Sequence, residues 1–119
     1  MKTASITRRA AISLMAMSTI GLAIGARADT PPSIKVWKDP NCGCCTGWAE
    51  HLRRNGFIVT VTDTAAMKEV KARRGVSPEL ASCHTAAIGD YVIEGHVPAH
   101  AIRRLIAEKT PGRGLAVPG

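Results

Sequence analysis

The sequence predicts an α/β domain in which a small mixed sheet of about four strands is flanked by helices, behind an N-terminal signal peptide. Three observations predict it. Short runs alternating apolar and polar residues take turns along the chain with longer segments whose apolar residues recur at helical spacing. The first 28 residues have the charge and hydropathy profile of an export signal. The remaining 91 residues are enough for one domain and too few for two.

The export segment runs from Met1 to Ala28. Lys2, Arg8 and Arg9 form a positive start, Ala10 to Ile24 is almost wholly apolar or small, and Ala26-Arg27-Ala28 supplies a cleavage site before Asp29. The apolar stretch is too short to span a bilayer, so no stable membrane insertion is expected once the signal is cleaved after Ala28. Thr7-Arg8-Arg9 hints at a twin-arginine signal, but the bulky apolar residues such signals carry after the arginine pair are missing. Both the general and the twin-arginine route stay open.

Cleavage changes the charge argument, because all four charges of the segment are positive. The 16 basic and 9 acidic residues of the whole chain become 12 and 9, and the net charge falls from +7 to +3. With few aromatic residues and no dense Lys/Arg run, the chain has no nucleic-acid-binding character. Arg53-Arg54, Arg73-Arg74 and Arg103-Arg104 read as solvated helix ends or faces. No apolar surface stripe calls for an obligate dimer, and a monomer is expected.

Residues 29–33, with Pro31-Pro32, form a linker, and residues 34–119 form the domain with a short C-terminal tail. Ile34, Val36 and Trp37 make a strand, and Asp39-Pro40-Asn41 a turn that delivers the chain to Cys42. A helix follows from about Cys44 to Asn55, with Trp48 and Leu52 on neighbouring turns, and Asn55-Gly56 stops it. Phe57 to Thr62 alternates apolar residues with Thr, as a half-buried strand does. Asp63 or Thr64 can cap a second helix that runs to Arg74 with Met67 and Val70 inward, ended by Gly75. Ser77-Pro78-Glu79-Leu80 reads as a single helical turn. Ala86 to Ile88 and Tyr91 to Ile93 flank Gly89-Asp90 as a hairpin. A third helix from about Ala99 to Lys109 turns Ile102, Leu105 and Ile106 inward, and the tail Arg113 to Gly119 has no element of its own. The order strand, helix, strand, helix, hairpin, helix is the thioredoxin-like plan. In that plan the loop entering the hairpin, here Ser82-Cys83-His84-Thr85, passes beside the start of the first helix.

That start carries Cys42-Gly43-Cys44-Cys45, three thiols within four residues. The Cys-x-x-Cys spacing of Cys42 and Cys45 lets two sulfurs face each other across the first helical turn, as a disulfide or as metal ligands. Unpaired N–H groups at a helix N-terminus favour the thiolate, which is both nucleophile and ligand. A third thiol exceeds the need of a dithiol redox centre, and the adjacent Cys44 and Cys45 do not readily point at one tetrahedral ion. Sulfurs that splay apart suit bridging several soft ions, and thiolate-rich sites favour Cu(I), Zn(II) or iron–sulfur clusters. A purely structural disulfide is a poor explanation, since Cys42 to Cys45 closes a very short loop and stabilises little. Metal or thiol chemistry is specified; the metal is not.

The motifs Cys42-Gly43-Cys44-Cys45, Trp48-x-x-His51-Leu52, Gly56-Phe57, Ser82-Cys83-His84-Thr85, Glu94-Gly95-His96-Val97-Pro98 and Gly114-Leu115-Ala116-Val117-Pro118-Gly119 together resemble the CopG-like copper-resistance proteins. The resemblance covers essentially the whole mature chain. It implies a periplasmic thioredoxin-like protein that binds copper in a sulfur-bridged multinuclear cluster, with zinc a weaker candidate. The implied role is to interconvert Cu(I) and Cu(II), or to hold copper, in support of a copper efflux system or a periplasmic copper carrier. It also implies that Cys42, Cys44 and Cys45 are cluster thiolates and that Cys83, His84 or both reach the metal. Members of this family continue past the Leu-Ala-Val-Pro-Gly segment into a methionine-containing tail. The present sequence stops at Gly119 and its only methionine after the signal is Met67; a chain naturally of this length implies a smaller, weaker or more open cluster, and a truncated one a site that is incomplete in this sequence.

Imidazole suits copper, and a mixed sulfur and nitrogen set tolerates both oxidation states, which favours His84 as a functional residue. His96 matches a family motif but can equally serve the turn before the third helix. His51 is expected in a supporting role, and His100 on the surface. Trp48, one turn from Cys44, is a core residue or a shield for the metal. Two other functions compete with copper chemistry. One is a metal-free thiol–disulfide oxidoreductase in which Cys42 and Cys45 are catalytic; the other is a passive copper or zinc buffer or chaperone.

Overall fold

The structure, a computed structural model, describes residues 30–118, with Gly21 in isolation. The predicted export segment and its cleavage site therefore lie outside the described residues. The elements are β1 (Ser33–Lys38), α1 (Gly43–Arg54), β2 (Ile58–Asp63), α2 (Met67–Arg74), a 3-10 turn (Pro78–Leu80), β3 (His84–Ile88), β4 (Tyr91–Glu94), α3 (Ala99–Glu108) and β5 (Gly114–Ala116). The mixed α/β architecture expected from the sequence is present, with one strand more than the expected four.

The strands form one sheet in the order β2-β1-β3-β4-β5. The crossover through α1 makes β1 and β2 parallel, and the crossover through α3 makes β4 and β5 parallel. The tight turn at Gly89-Asp90 makes β3 and β4 antiparallel, and β3 also runs antiparallel to β1. Ile34 and Val36 of β1, Ala86 and Ile88 of β3 and Ile93 of β4 meet Trp48 and Leu52 of α1 and Ile102 and Leu105 of α3 in one buried cluster. Successive side chains of a strand point to opposite faces, so Trp37 and Thr85 lie on the other side, against Arg74 and Lys71 of α2.

Two boundaries differ from the sequence expectation. Asp63 belongs to β2, because its register with Lys38 continues the β1 pairing and a 2.9 Å ion pair between the two side chains holds it there. The second helix therefore starts later, at Met67, with Thr64 Oγ1 accepting the Ala66 N–H. Met67 is only half-buried, and Val70 is the buried residue of α2.

The tail also differs, since Gly114–Ala116 forms β5 beside β4. Val92 N–H donates to the Arg113 carbonyl and Val117 N–H to the Glu94 carbonyl. Gly114 has φ +152°, and a Cβ there would collide with the Val92 carbonyl. Apolar periodicity is blind to this pairing, because it rests on backbone groups and on a glycine that lets two strands approach closely.

Candidate metal centre

Asp39 shapes the approach to the site. Its carboxylate accepts the Asn41 N–H at 2.9 Å and its carbonyl accepts the Cys42 N–H at 3.1 Å, which turns the chain into α1. Cys42 occupies the N-cap position, and no acidic residue stands in the first turn of α1 to neutralise the partial positive charge there. Cys42 is half-buried, Cys44 exposed and Cys45 fully buried, so three nearly consecutive thiols differ in their access to solvent. Cys42 and Cys45 are joined as a disulfide, while Cys44 and Cys83 are free.

Tertiary folding brings Cys83 to this corner. Its sulfur lies 3.8 Å from Cys44 Sγ, which is itself 3.4 Å from Cys42 Sγ. Cys45 Sγ is 3.5 Å from the Cys83 carbonyl, a contact that a reduced thiol would convert to a hydrogen bond. The sulfurs of Cys42, Cys44, Cys45 and Cys83 all lie within 4.8 Å of one another. A second group shares Cys83, whose sulfur stands 3.5 Å from His84 Nδ1 and 3.7 Å from His96 Nε2. The five expected site residues and His96 thus converge. His51 and His100 stay apart: His51 Nε2 accepts the Ala99 N–H at the start of α3, and His100 is exposed.

His84 is buried between Trp48 and His96, with ring centroids 4.2 Å and 5.2 Å away. Its Nε2 faces the Gly95 carbonyl at 2.7 Å, and a carbonyl only accepts, so Nε2 carries the proton and Nδ1 presents its lone pair toward Cys83. Burial is the main reason its pKa is pushed down to about 4, with the neighbouring His96 acting in the same direction against the Gly95 carbonyl. Burial, and then the adjacent Cys44 thiol, raise the pKa of Cys83 above the usual thiol value.

The depressed value for His84 makes a stability prediction for the metal-free protein. Unfolded, the imidazole takes a proton below its ordinary value near 6.5, whereas folded it stays neutral until about 4. Its contribution is therefore present above 6.5 and is lost as pH falls toward 4, by at most about 3 kcal/mol. Urea unfolding between pH 7.5 and 4 should show this loss, with a shallower dependence in His84→Gln; equal slopes in both proteins would refute it.

Two residues packed behind the site were not singled out by the sequence. Glu94, at 2% exposure, pairs with the half-buried Lys71 of α2 directly behind the Cys83-His84 loop. Glu94 was visible only as one letter of a motif, and the available signal was a carboxylate ending the apolar run Tyr91-Val92-Ile93. Its neighbour Gly95, at φ +81°, closes against the tail, where a Cβ would strike the Val117 carbonyl. Cys44, Cys83 and His96 consequently share a cleft of ≈ 320 Å³ with Val117 and Pro118.

Residues 80–119 match a family described as a protein of unknown function, DUF411, a stretch that holds Cys83, His84, Glu94 and His96 but not the three-cysteine motif. No curated protein matches the chain. Two solved structures do, both of copper resistance protein CopG. The one called form 2 is 48% identical, with a TM-score of 0.72 over 76% of this chain and 72% of that one. Form 1 is also 48% identical, with a TM-score of 0.71 over 76% and 71% of the two chains. With this identity across most of both chains and the cysteine cluster in place, the protein belongs to the family of the copper resistance protein CopG.

Proposed function

We propose that the protein is an exported copper-binding protein whose cargo is held by Cys42, Cys44, Cys45 and Cys83 with His84 and His96 beside them. The observation that carries this reading is the convergence of four sulfurs within 4.8 Å on a corner that also presents two imidazoles. The donor set fits copper. Thiolates suit Cu(I), and imidazole extends the set toward Cu(II), so that the site interconverts the two states by exchanging one electron per ion with an external donor or acceptor. The similarity to copper resistance protein CopG favours copper over zinc. A multinuclear cluster is supported by the number of soft donors at one corner, four sulfurs with two imidazoles beside them, which exceeds what a single tetrahedral ion takes.

The Cys42–Cys45 disulfide must take up two electrons and two protons before all four thiols are available. Residues 1–28 act as the signal, residues 34–119 as the binding domain, and the periplasm is the site of action. Copper passes to or from an efflux system or periplasmic carrier. The test is elemental analysis of the mature protein, reduced and reconstituted with Cu(I) under anaerobic conditions, alongside a free-thiol count. Two or more coppers per chain with all four thiols protected are expected. Absence of copper from fully reduced protein would sink the proposal.

A second reading has one observation in its favour, the disulfide at a helix N-terminus with one half-buried and one fully buried partner. It makes Cys42 and Cys45 a thiol–disulfide exchange pair. Insulin reduction in metal-free buffer decides it, and a rate equal to the uncatalysed control removes it. A passive buffer would differ from the leading proposal in holding its copper locked in one oxidation state under mild oxidant and reductant.

A further inference from the structure

The two residues that flank Cys83-His84 are both gripped by one carboxylate. Oε1 of Glu94 accepts the Ser82 N–H at 2.8 Å, and Oε2 accepts the Thr85 hydroxyl at 2.6 Å. The Ser82 hydroxyl lies 2.9 Å from both Oε1 and the His84 carbonyl, and donates to one at a time. Lys71 braces the arrangement. Its ammonium pairs with Oε1 and donates to Thr85 Oγ1 at 2.9 Å and to the His84 carbonyl at 3.5 Å. The residue after Glu94 supplies the carbonyl that fixes the His84 tautomer, and the one after that is His96.

A buried ion pair is a poor way to gain stability, since apolar residues of similar volume usually do as well or better. What this one provides is direction. Both oxygens are committed to the backbone and side chains on either side of the dipeptide, and neither Glu94 nor Lys71 belongs to the sulfur and imidazole groups themselves.

We propose that Glu94, braced by Lys71, is a positioning residue that holds Cys83-His84 in register with Cys44, so that the loop half of the site meets the helix half. Without the clamp, residues 82–85 would keep their strand pairing only from His84 onward to β1 and from Thr85 onward to β4, and Cys83 would swing.

The primary test needs no metal and so does not depend on the copper reading. In metal-free protein, graded glutathione buffers measure how readily Cys44 and Cys83 form a disulfide, with the state of Cys42–Cys45 and the pairing both assigned by peptide mapping at each potential. Glu94→Gln and Thr85→Val, which each remove a hydrogen bond to a charged carboxylate, are expected to lower the effective concentration of this thiol pair by about tenfold or more. Thr85→Ser, which keeps the hydroxyl, restores it. Leu105→Ala, a destabilising change on α3 remote from the loop, stays within about twofold of the wild type. Should Glu94→Gln fail to fold, the Thr85 pair of variants carries the test. Unchanged pairing in Thr85→Val, an equal loss in Leu105→Ala, or a wild-type chain that forms no Cys44–Cys83 bridge would overturn the proposal. A second readout, Cu(I) competition against a chromogenic chelator, rests on the proposed function. If the wild type binds no copper, that function fails while the thiol measurement still decides the role of Glu94.

Discussion

Serine in place of Cys44 is expected to reduce Cu(I) loading from two or more ions per chain to at most one, with an affinity lower by roughly a hundredfold or more. The expectation rests on where this sulfur sits. Cys44 Sγ is 3.4 Å from Cys42 Sγ and 3.8 Å from Cys83 Sγ, so it is the link between the helix thiols and the loop thiol. Serine has nearly the same shape but a hard oxygen that Cu(I) binds poorly. Because Cys44 is exposed, the change should alter folding stability by no more than about 0.5 kcal/mol. That separates it from Cys45, whose full burial would confound ligand loss with core damage. Metal analysis and thermal unfolding on the same preparation check both halves. Wild-type copper stoichiometry in Cys44→Ser would rule out a cluster bridged through this residue.

Lys71→Met is expected to cost about 3 kcal/mol of folding stability, a large part of what a domain of this size has. Methionine fills most of the space of the lysine stem but leaves the Glu94 carboxylate, 2% exposed, without its cation. The hydrogen bonds from Ser82 and Thr85 remain, yet they solvate the charge only in part. Adding Glu94→Gln should cost less than a simple sum of the single changes would require, by at least about 1 kcal/mol, because the two side chains depend on each other. Urea denaturation of the two single variants and the double variant reads this coupling. A Lys71→Met protein within about 1 kcal/mol of the wild type would show that this ion pair is not the anchor behind the loop.

By itself the sequence determined most of the element types and most of the residues that meet at the candidate site. Trp48 and Leu52, or Ile102 and Leu105, declare helices because their spacing repeats the helical period, and the alternation in Ile34-Lys35-Val36 declares a strand by the same logic. Cys42, Cys44 and Cys45 were legible as a site because they are neighbours in the chain, and the thiol chemistry of such a cluster depends little on the fold. Cys83 and His84 became part of it only through the expected topology, and His96 only as an even alternative to a turn residue.

The tertiary structure alone decided the rest. The clamp of Glu94 on Ser82 and Thr85, the brace from Lys71 and the seating of His84 on the Gly95 carbonyl join segments separated by up to 23 residues. Their partners are chosen by sheet register, which places Thr85 opposite Glu94 and turns both toward α2. Strand β5 belongs with these features, since Gly114 and Gly95 are informative only once the backbone they admit is known. Local periodicity records which residues seek the interior. It does not record which buried charge meets which hydroxyl, because that is settled by long-range pairing and by the requirement that every enclosed polar group find a partner.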